Sequence, residues 1–257
     1  MSFISLDSVG KQFLSRRATT AVAVRNFSLQ LNQGEFFCLL GPSGCGKSTV
    51  LSMLAGFEAP SSGSIQLEGQ EIVGSSRERC VVFQGDDSLY PWLTALENIA
   101  FGLRLQGMSK RERHAEAFKY LELVGLKGQE NKHPTELSGG MKQRIQIARA
   151  LVNKPRVLLM DEPFGALDAQ TRNIMQMELR KIWKETETTI LFITHDVDEA
   201  ILLSTRAGVM TAGPGGTLKA VVDVDLEDNR SRSNPRYLEL YDLVHGMIKE
   251  EVARSIH

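Results

Sequence analysis

Several short runs along the chain are apolar from end to end: Phe36 to Leu40, Cys80 to Phe83, Val157 to Met160 and Ile190 to Thr194. A strand with apolar residues on both faces needs cover on both faces. Such strands alternating with helical stretches predict a mainly parallel sheet between helical layers. Residues 3 to 31 and 64 to 73 alternate instead, with Gly and Asn breaks, and predict a small N-terminal antiparallel sheet. From Asp86 to Leu151 the period becomes helical. Ser109 with Glu112 forms a capping box, the stripe Ala115, Phe118, Leu121 and Val124 has helical spacing, and Gly125 ends it. This stretch reads as a helical subdomain inserted into the core.

Towards the end, Leu218, Ala220, Val222, Val224 and Leu226 alternate with more polar neighbours and predict a half-buried strand. The polar stretch from Glu227 to Pro235 reads as a linker. Asn234 and Pro235 suit an N-cap and a first helical turn. Tyr237, Tyr241, Val244 and Ile248 then mark a final amphipathic helix, whose stripe is expected to pack on the body of the protein.

Composition narrows the class without naming it. The chain has 257 residues, 42% hydrophobic and 24% charged, which is enough for a substantial core. A net charge of -1 gives no sign of the basic face that a duplex-binding protein carries, so no nucleic acid is expected. Cys38, Cys45 and Cys80 form no metal-type cluster, and Cys38 and Cys80 sit in apolar runs. The N-terminus lacks the layout of a signal peptide. No apolar run approaches the roughly 18 residues that a membrane span needs.

The strongest chemical signal is Gly41-Pro42-Ser43-Gly44-Cys45-Gly46-Lys47-Ser48-Thr49. It matches G-x-x-x-x-G-K-[ST] and lies between an apolar strand and a helical run, as a phosphate loop must. Glycines let the backbone wrap an anion, and N–H groups at the helix start face it. Lys47 is expected on the outer phosphates, Ser48 on Mg²⁺ and Thr49 on a phosphate. Cys45 is expected to pack away from phosphate; a modifiable thiol is the alternative. Further on, the strand from Val157 ends in Asp161-Glu162-Pro163. Asp161 is expected to hold Mg²⁺ through water and Glu162 to orient or deprotonate the attacking water.

Leu137-Ser138-Gly139-Gly140-Met141-Lys142-Gln143-Arg144 reads by itself as an N-capped helix start. It resembles the signature motif of ATP-binding cassette (ABC) proteins, and further resemblances fall in the expected order. Phe13 is similar to the residue that stacks on adenine. Gln84 is similar to the glutamine that joins Mg²⁺ and senses a membrane partner. Ala166-Leu167-Asp168 resembles the loop that crosses the dimer interface. His195 would ordinarily be read as structural, but in this series it resembles the switch histidine on the γ-phosphate. The resemblance implies a P-loop NTPase core, an ATP-binding domain over 3–235 with its helical part at about 86–151, and a helical tail over 236–257. It implies a head-to-tail pair in which ATP lies between the phosphate loop of one copy and Ser138, Gly139 and Gly140 of the other.

Missing coiled-coil insertions and a single cassette favour a transporter subunit over a soluble ABC ATPase of DNA repair or translation. Tyr90-Pro91-Trp92-Leu93-Thr94 and Glu97-Asn98, together with Asp161 to Asp168, resemble the importer subfamily for nitrate, taurine and alkanesulfonates. Departures are Tyr90 in place of Leu, Phe13 in place of Tyr, and a longer stretch from Leu14 to Thr20. The resemblance implies two transmembrane permease subunits, an extracytoplasmic substrate-binding protein acting indirectly, and a peripheral place on the cytoplasmic face of the inner membrane. Taurine or an alkanesulfonate is the first expectation for cargo, then nitrate or another small anion, then a vitamin precursor. Trp92 is either a partly buried aromatic under a loop or a contact for the membrane subunit.

Overall fold

The computed structural model describes residues 2–14, 20–85, 88–227 and 230–255. Strands β1 (Ile4–Leu14) and β2 (Thr20–Leu31) are followed by β3 (Phe36–Leu40) and helix α1 (Lys47–Ala55). Next come β4 (Ser62–Leu67), β5 (Gln70–Glu71) and β6 (Arg79–Val82). Helices α2 (Ala95–Leu105), α3 (Lys110–Leu123) and α4 (Gly139–Leu151) lead to β7 (Val157–Asp161) and α5 (Ala169–Thr186). The chain ends with β8 (Thr189–Ile193), α6 (Val197–Leu203), β9 (Arg206–Met210), β10 (Leu218–Asp223) and α7 (Pro235–Ser255). Contacts divide it into two units, residues 1–76 with 189–257, and residues 77–188.

In the first unit, β2, β1, β4 and β5 form the antiparallel sheet that alternation predicts. A break in register between Leu6 and Val9, with Ser8 at φ 50, lets both apolar residues face inward although their spacing is odd. The parallel part centres on β3, which pairs with β8 on one side and β9 on the other. All five residues of β3 and all five of β8 are buried, as their unbroken apolar runs require. β10 pairs antiparallel with β9 at the edge, and its residues are half-buried or exposed. Full burial falls beyond its end, on Val224 and Leu226.

Helix α7 packs against α6 and β9. Its buried face is Tyr237, Leu240, Val244 and Glu251, so the expected stripe is rotated: Tyr241 and Ile248 lie at its half-buried margin. The buried carboxylate of Glu251 accepts the Ala212 N–H at 2.9 Å and pairs with Lys219 at 2.8 Å, which satisfies it. The stretch expected to be a linker also contains an anchor. Arg230 is buried and donates to the carbonyls of Ile201 at 2.9 Å, Ser204 at 2.6 Å and Leu226 at 2.9 Å. A guanidinium placed there satisfies the orphan carbonyls at the end of α6.

In the second unit β6 and β7 pair in parallel, and α4 packs against α2, α3, α5 and β6. Both N-termini are capped as their sequences direct, α2 by Thr94 with Glu97 and α3 by Ser109 with Glu112. The buried face of α3 carries Ala117 and Leu121, with Val124 just beyond; Ala115 is exposed and Phe118 half-buried. Trp92 is 69% exposed, its ring 5.4 Å from that of Tyr90, so it is not covered by a loop.

Asn98 fixes the turn before α2. Fully buried, it donates to the carbonyls of Tyr90, Leu93 and Thr94 at 3.0–3.1 Å and accepts the Tyr90 N–H at 2.8 Å. Asn98→Ala would leave several of these groups without a partner and is predicted to cost about 1–3 kcal/mol. Urea unfolding of the full chain measures this, and an unchanged midpoint would show that the amide does not hold the turn.

Candidate active site

The first unit carries the candidate phosphate loop, Gly41 to Thr49. β3 delivers the chain at Leu40 and α1 starts at Lys47. Gly46 is the N-cap residue at φ 103, with no side-chain cap, so the first-turn N–H groups are left for an anion. A Cβ at Gly46 would stand 2.5 Å from the Ala23 carbonyl oxygen and 2.8 Å from Val24 Cγ2, so both backbone angle and space demand glycine. Gly44, at φ 77, is exposed, as is Ser43; Pro42 is half-buried and Gly41 buried. Lys47 is itself buried and lies across the loop, its ammonium donating to the carbonyls of Gly41 at 2.8 Å and Pro42 at 3.0 Å. Ser48 is exposed and Thr49 half-buried in the first turn.

Cys45 is buried, and burial pushes its thiol up despite the neighbouring Lys47 charge. That suppresses the reactive thiolate and fits a packing role. Phe13 is 40% exposed towards the end of β1, with the Lys11 ammonium 5.0 Å from its ring centre. His195 is exposed just beyond β8, and Asp196 after it caps α6.

The second unit carries the remaining candidates. β7 ends at Asp161, and Glu162 follows in the left-handed region at φ 44. A non-glycine residue there is strained, and strain of this kind collects where a side chain must be aimed. The turn closes with the Gly165 N–H on the Glu162 carbonyl at 3.1 Å. Asp168 then caps α5, accepting the N–H groups of Gln170 at 3.1 Å and Thr171 at 3.0 Å. Bonding from Thr171, then Gln170, holds its carboxyl below the usual range.

Gln84, exposed beyond β6, lies against this turn: a Cβ on Gly165 would be 2.9 Å from its amide nitrogen. Ser138 caps α4 by accepting the Met141 N–H at 3.3 Å. Gly140 is needed beside it, because a Cβ there would stand 2.6 Å from Thr171 Cγ2. At Gly139 a Cβ would sit 3.7 Å from Leu167 Cδ2. Close approach by small residues thus sets the start of α4 beside the turn that carries Asp168.

Two residues were missed by sequence reasoning. Gln146 and Arg149, one turn apart on α4, hold the stretch after Gln84. Gln146 donates to the Gly85 carbonyl at 2.8 Å, and Arg149 to the Ser88 carbonyl at 2.8 Å and hydroxyl at 3.1 Å. The Arg149 guanidinium also lies 5.6 Å from the centre of the Tyr90 ring. Polar residues recurring on the buried face of an apolar helix were the available signal.

The ABC transporter family model matches residues 24–165, more than half of the chain. The chain belongs to the ABC transporter family. The cassette is 48% identical over 219 residues to the taurine import ATP-binding protein TauB of Pseudomonas aeruginosa, covering 85% of the cassette and 82% of that protein. It is 46% identical over 244 residues to the nitrate import ATP-binding protein NrtD of Synechococcus elongatus, covering 93% and 88%. With the bicarbonate transport ATP-binding protein CmpC of the same species it shares 44% identity over 93% of its own length, but it spans only 37% of that protein. A solved dimeric ATP-binding cassette in a post-hydrolysis state, bound to ADP and phosphate, superposes with a TM-score of 0.73 at 30% identity, covering 87% of this chain and 100% of that one. The cassette is an ABC-type transport ATPase and the ATP-binding subunit of an importer.

Gly46→Ala is predicted to cost about 1–3 kcal/mol through its backbone angle, and to abolish nucleotide binding by displacing the start of α1. Equilibrium binding of a fluorescent ATP analogue checks this; wild-type affinity would show that the loop tolerates a Cβ at the cap.

Proposed function

We propose that two copies of this cassette bind ATP head to tail and that closure of the pair drives two permease subunits. The uncapped start of α1 beside the buried Lys47 supports this most directly, because it offers half of a polyphosphate site. Gly41 to Thr49 receive the phosphates, and Phe13 stacks on adenine. Ser138, Gly139 and Gly140 of the second copy present another helix N-terminus to the γ-phosphate, with Asp168 at the interface. Glu162 handles the attacking water, while Gln84, Lys47 and His195 compensate charge on the transferred phosphoryl group.

The donor chemistry fits Mg²⁺. Ser48, Asp161 and Gln84 offer oxygen ligands with one carboxylate, which suits an ion that keeps waters and binds through phosphate oxygens. When bound, the ion would neutralise charge on the phosphates.

For cargo we propose a small oxyanion, with taurine or an alkanesulfonate first and nitrate or bicarbonate as the second reading. The support is the near-equal likeness to relatives named for taurine, nitrate and bicarbonate. An extracytoplasmic binding protein would select it. Among the described residues no helix is long and apolar enough to cross a membrane, which agrees with peripheral attachment.

Glu162→Gln keeps the shape of the water-handling side chain and removes its charge. It is predicted to bind ATP, hydrolyse it at least about 100-fold more slowly, and accumulate as a dimer. Light scattering with saturating Mg-ATP measures the dimer; a variant that stays monomeric would count heavily against the scheme.

A further inference from the structure

Helix α6 begins two residues after His195, spans only Val197 to Leu203, and is fastened at both ends. On its own side, Asp196 accepts the N–H groups of Asp198 at 2.8 Å and Glu199 at 3.4 Å. The Thr194 hydroxyl accepts the Asp196 N–H at 3.0 Å and donates to the buried Glu199 at 2.5 Å. These bonds bracket His195 and tie its backbone to the first turn of α6. Wherever that turn moves, the histidine follows.

The first turn is in turn held by the C-terminal segment. The hydroxyl of Tyr237, a residue only 1% exposed, donates to Asp198 Oδ1 at 2.5 Å. Arg232 pairs with the same carboxylate, its Nε 3.2 Å from Oδ1. Arg230 grips the far end of α6 through the carbonyls of Ile201 and Ser204. Packing alone would be served by phenylalanine at position 237. A buried hydroxyl aimed at a carboxylate is a directional constraint. Burial and the Asp198 contact push the phenol well above its ordinary range, so it remains a donor at any physiological pH.

We propose that Tyr237 and Arg232, acting on Asp198, are positioning residues that set His195 for ATP hydrolysis, with Arg230 fixing the other end of α6. The C-terminal segment is then part of the hydrolytic machinery at one remove. This rests on the assignment of His195 to the γ-phosphate. Loss of the phenol hydroxyl frees the first turn by a fraction of an ångström, which matters for a group that must meet a transition state.

The test is steady-state hydrolysis by the full chain. Tyr237→Phe is expected to lower kcat about 5- to 20-fold, with KM for ATP changed less than about twofold. Asp198→Asn keeps an acceptor for the phenol but loses the charge pair with Arg232, and is expected to lose about 2- to 5-fold, as Arg232→Gln does. In a His195→Ala background, Tyr237→Phe is expected to cause no further loss, because the interaction acts through the histidine. If Tyr237→Phe does not fold, Arg232→Gln on its exposed side chain carries the same comparison, with an expected loss of about 2- to 5-fold. A wild-type kcat in Tyr237→Phe, or the same fold loss with and without His195, would overturn the proposal. Unchanged hydrolysis in His195→Ala alone would remove the histidine assignment and the proposal together, and is recognised before the tyrosine is tested.

Discussion

A helix that starts without a side-chain cap, next to a buried lysine, is the constraint on which the rest of this cassette depends. The N–H groups at the start of α1 have no side-chain cap and are open to water or to an anion. Keeping them free takes a left-handed glycine at position 46, where no Cβ fits, and a rigid base in β3, buried on every residue. Lys47 is held inside the loop by donating to the carbonyls of Gly41 and Pro42. On the proposed reading, a loop held in this way is ordered before polyphosphate arrives, and the free energy of ordering is met during folding instead of at binding.

The second unit solves a different problem, that of aiming acidic and amide groups from a tight turn. Glu162 accepts a strained backbone angle directly after β7, and Asp168 is fixed by capping α5. Gln84 lies on that turn, and α4 reaches back through Gln146 and Arg149 to hold the chain beyond Gln84. One helix therefore carries the signature residues at its start and steadies the glutamine stretch from its middle. A shift of α4 would be felt at both places.

Much of this was legible in sequence because it rests on local chemistry. The run Phe36 to Leu40 is apolar throughout and is a strand over those very residues. Ser109, Ser138 and Asn234 cap helices because short polar side chains beside N–H groups do so in any fold. What was not legible depends on partners distant in sequence. The buried stripe of α7 moved because Leu240 and Glu251, not Tyr241 and Ile248, meet the body of the unit. Arg230 sits in a stretch that looks like a linker until the end of α6 supplies its carbonyls. The reach of Tyr237 to Asp198 spans 39 positions and leaves no pattern along the chain.

On the proposed reading the cassette does its work only when its hydrolysis moves a membrane protein, so the partner is the sharpest test. The full chain would be tagged, its source membranes solubilised gently, and the co-purifying proteins identified and quantified. The account predicts a multi-span membrane protein in about equal amount, released when the cassette is stripped from the complex. Recovery of soluble partners alone, or of nucleic acid, would contradict the transport role while leaving the ATPase chemistry in place.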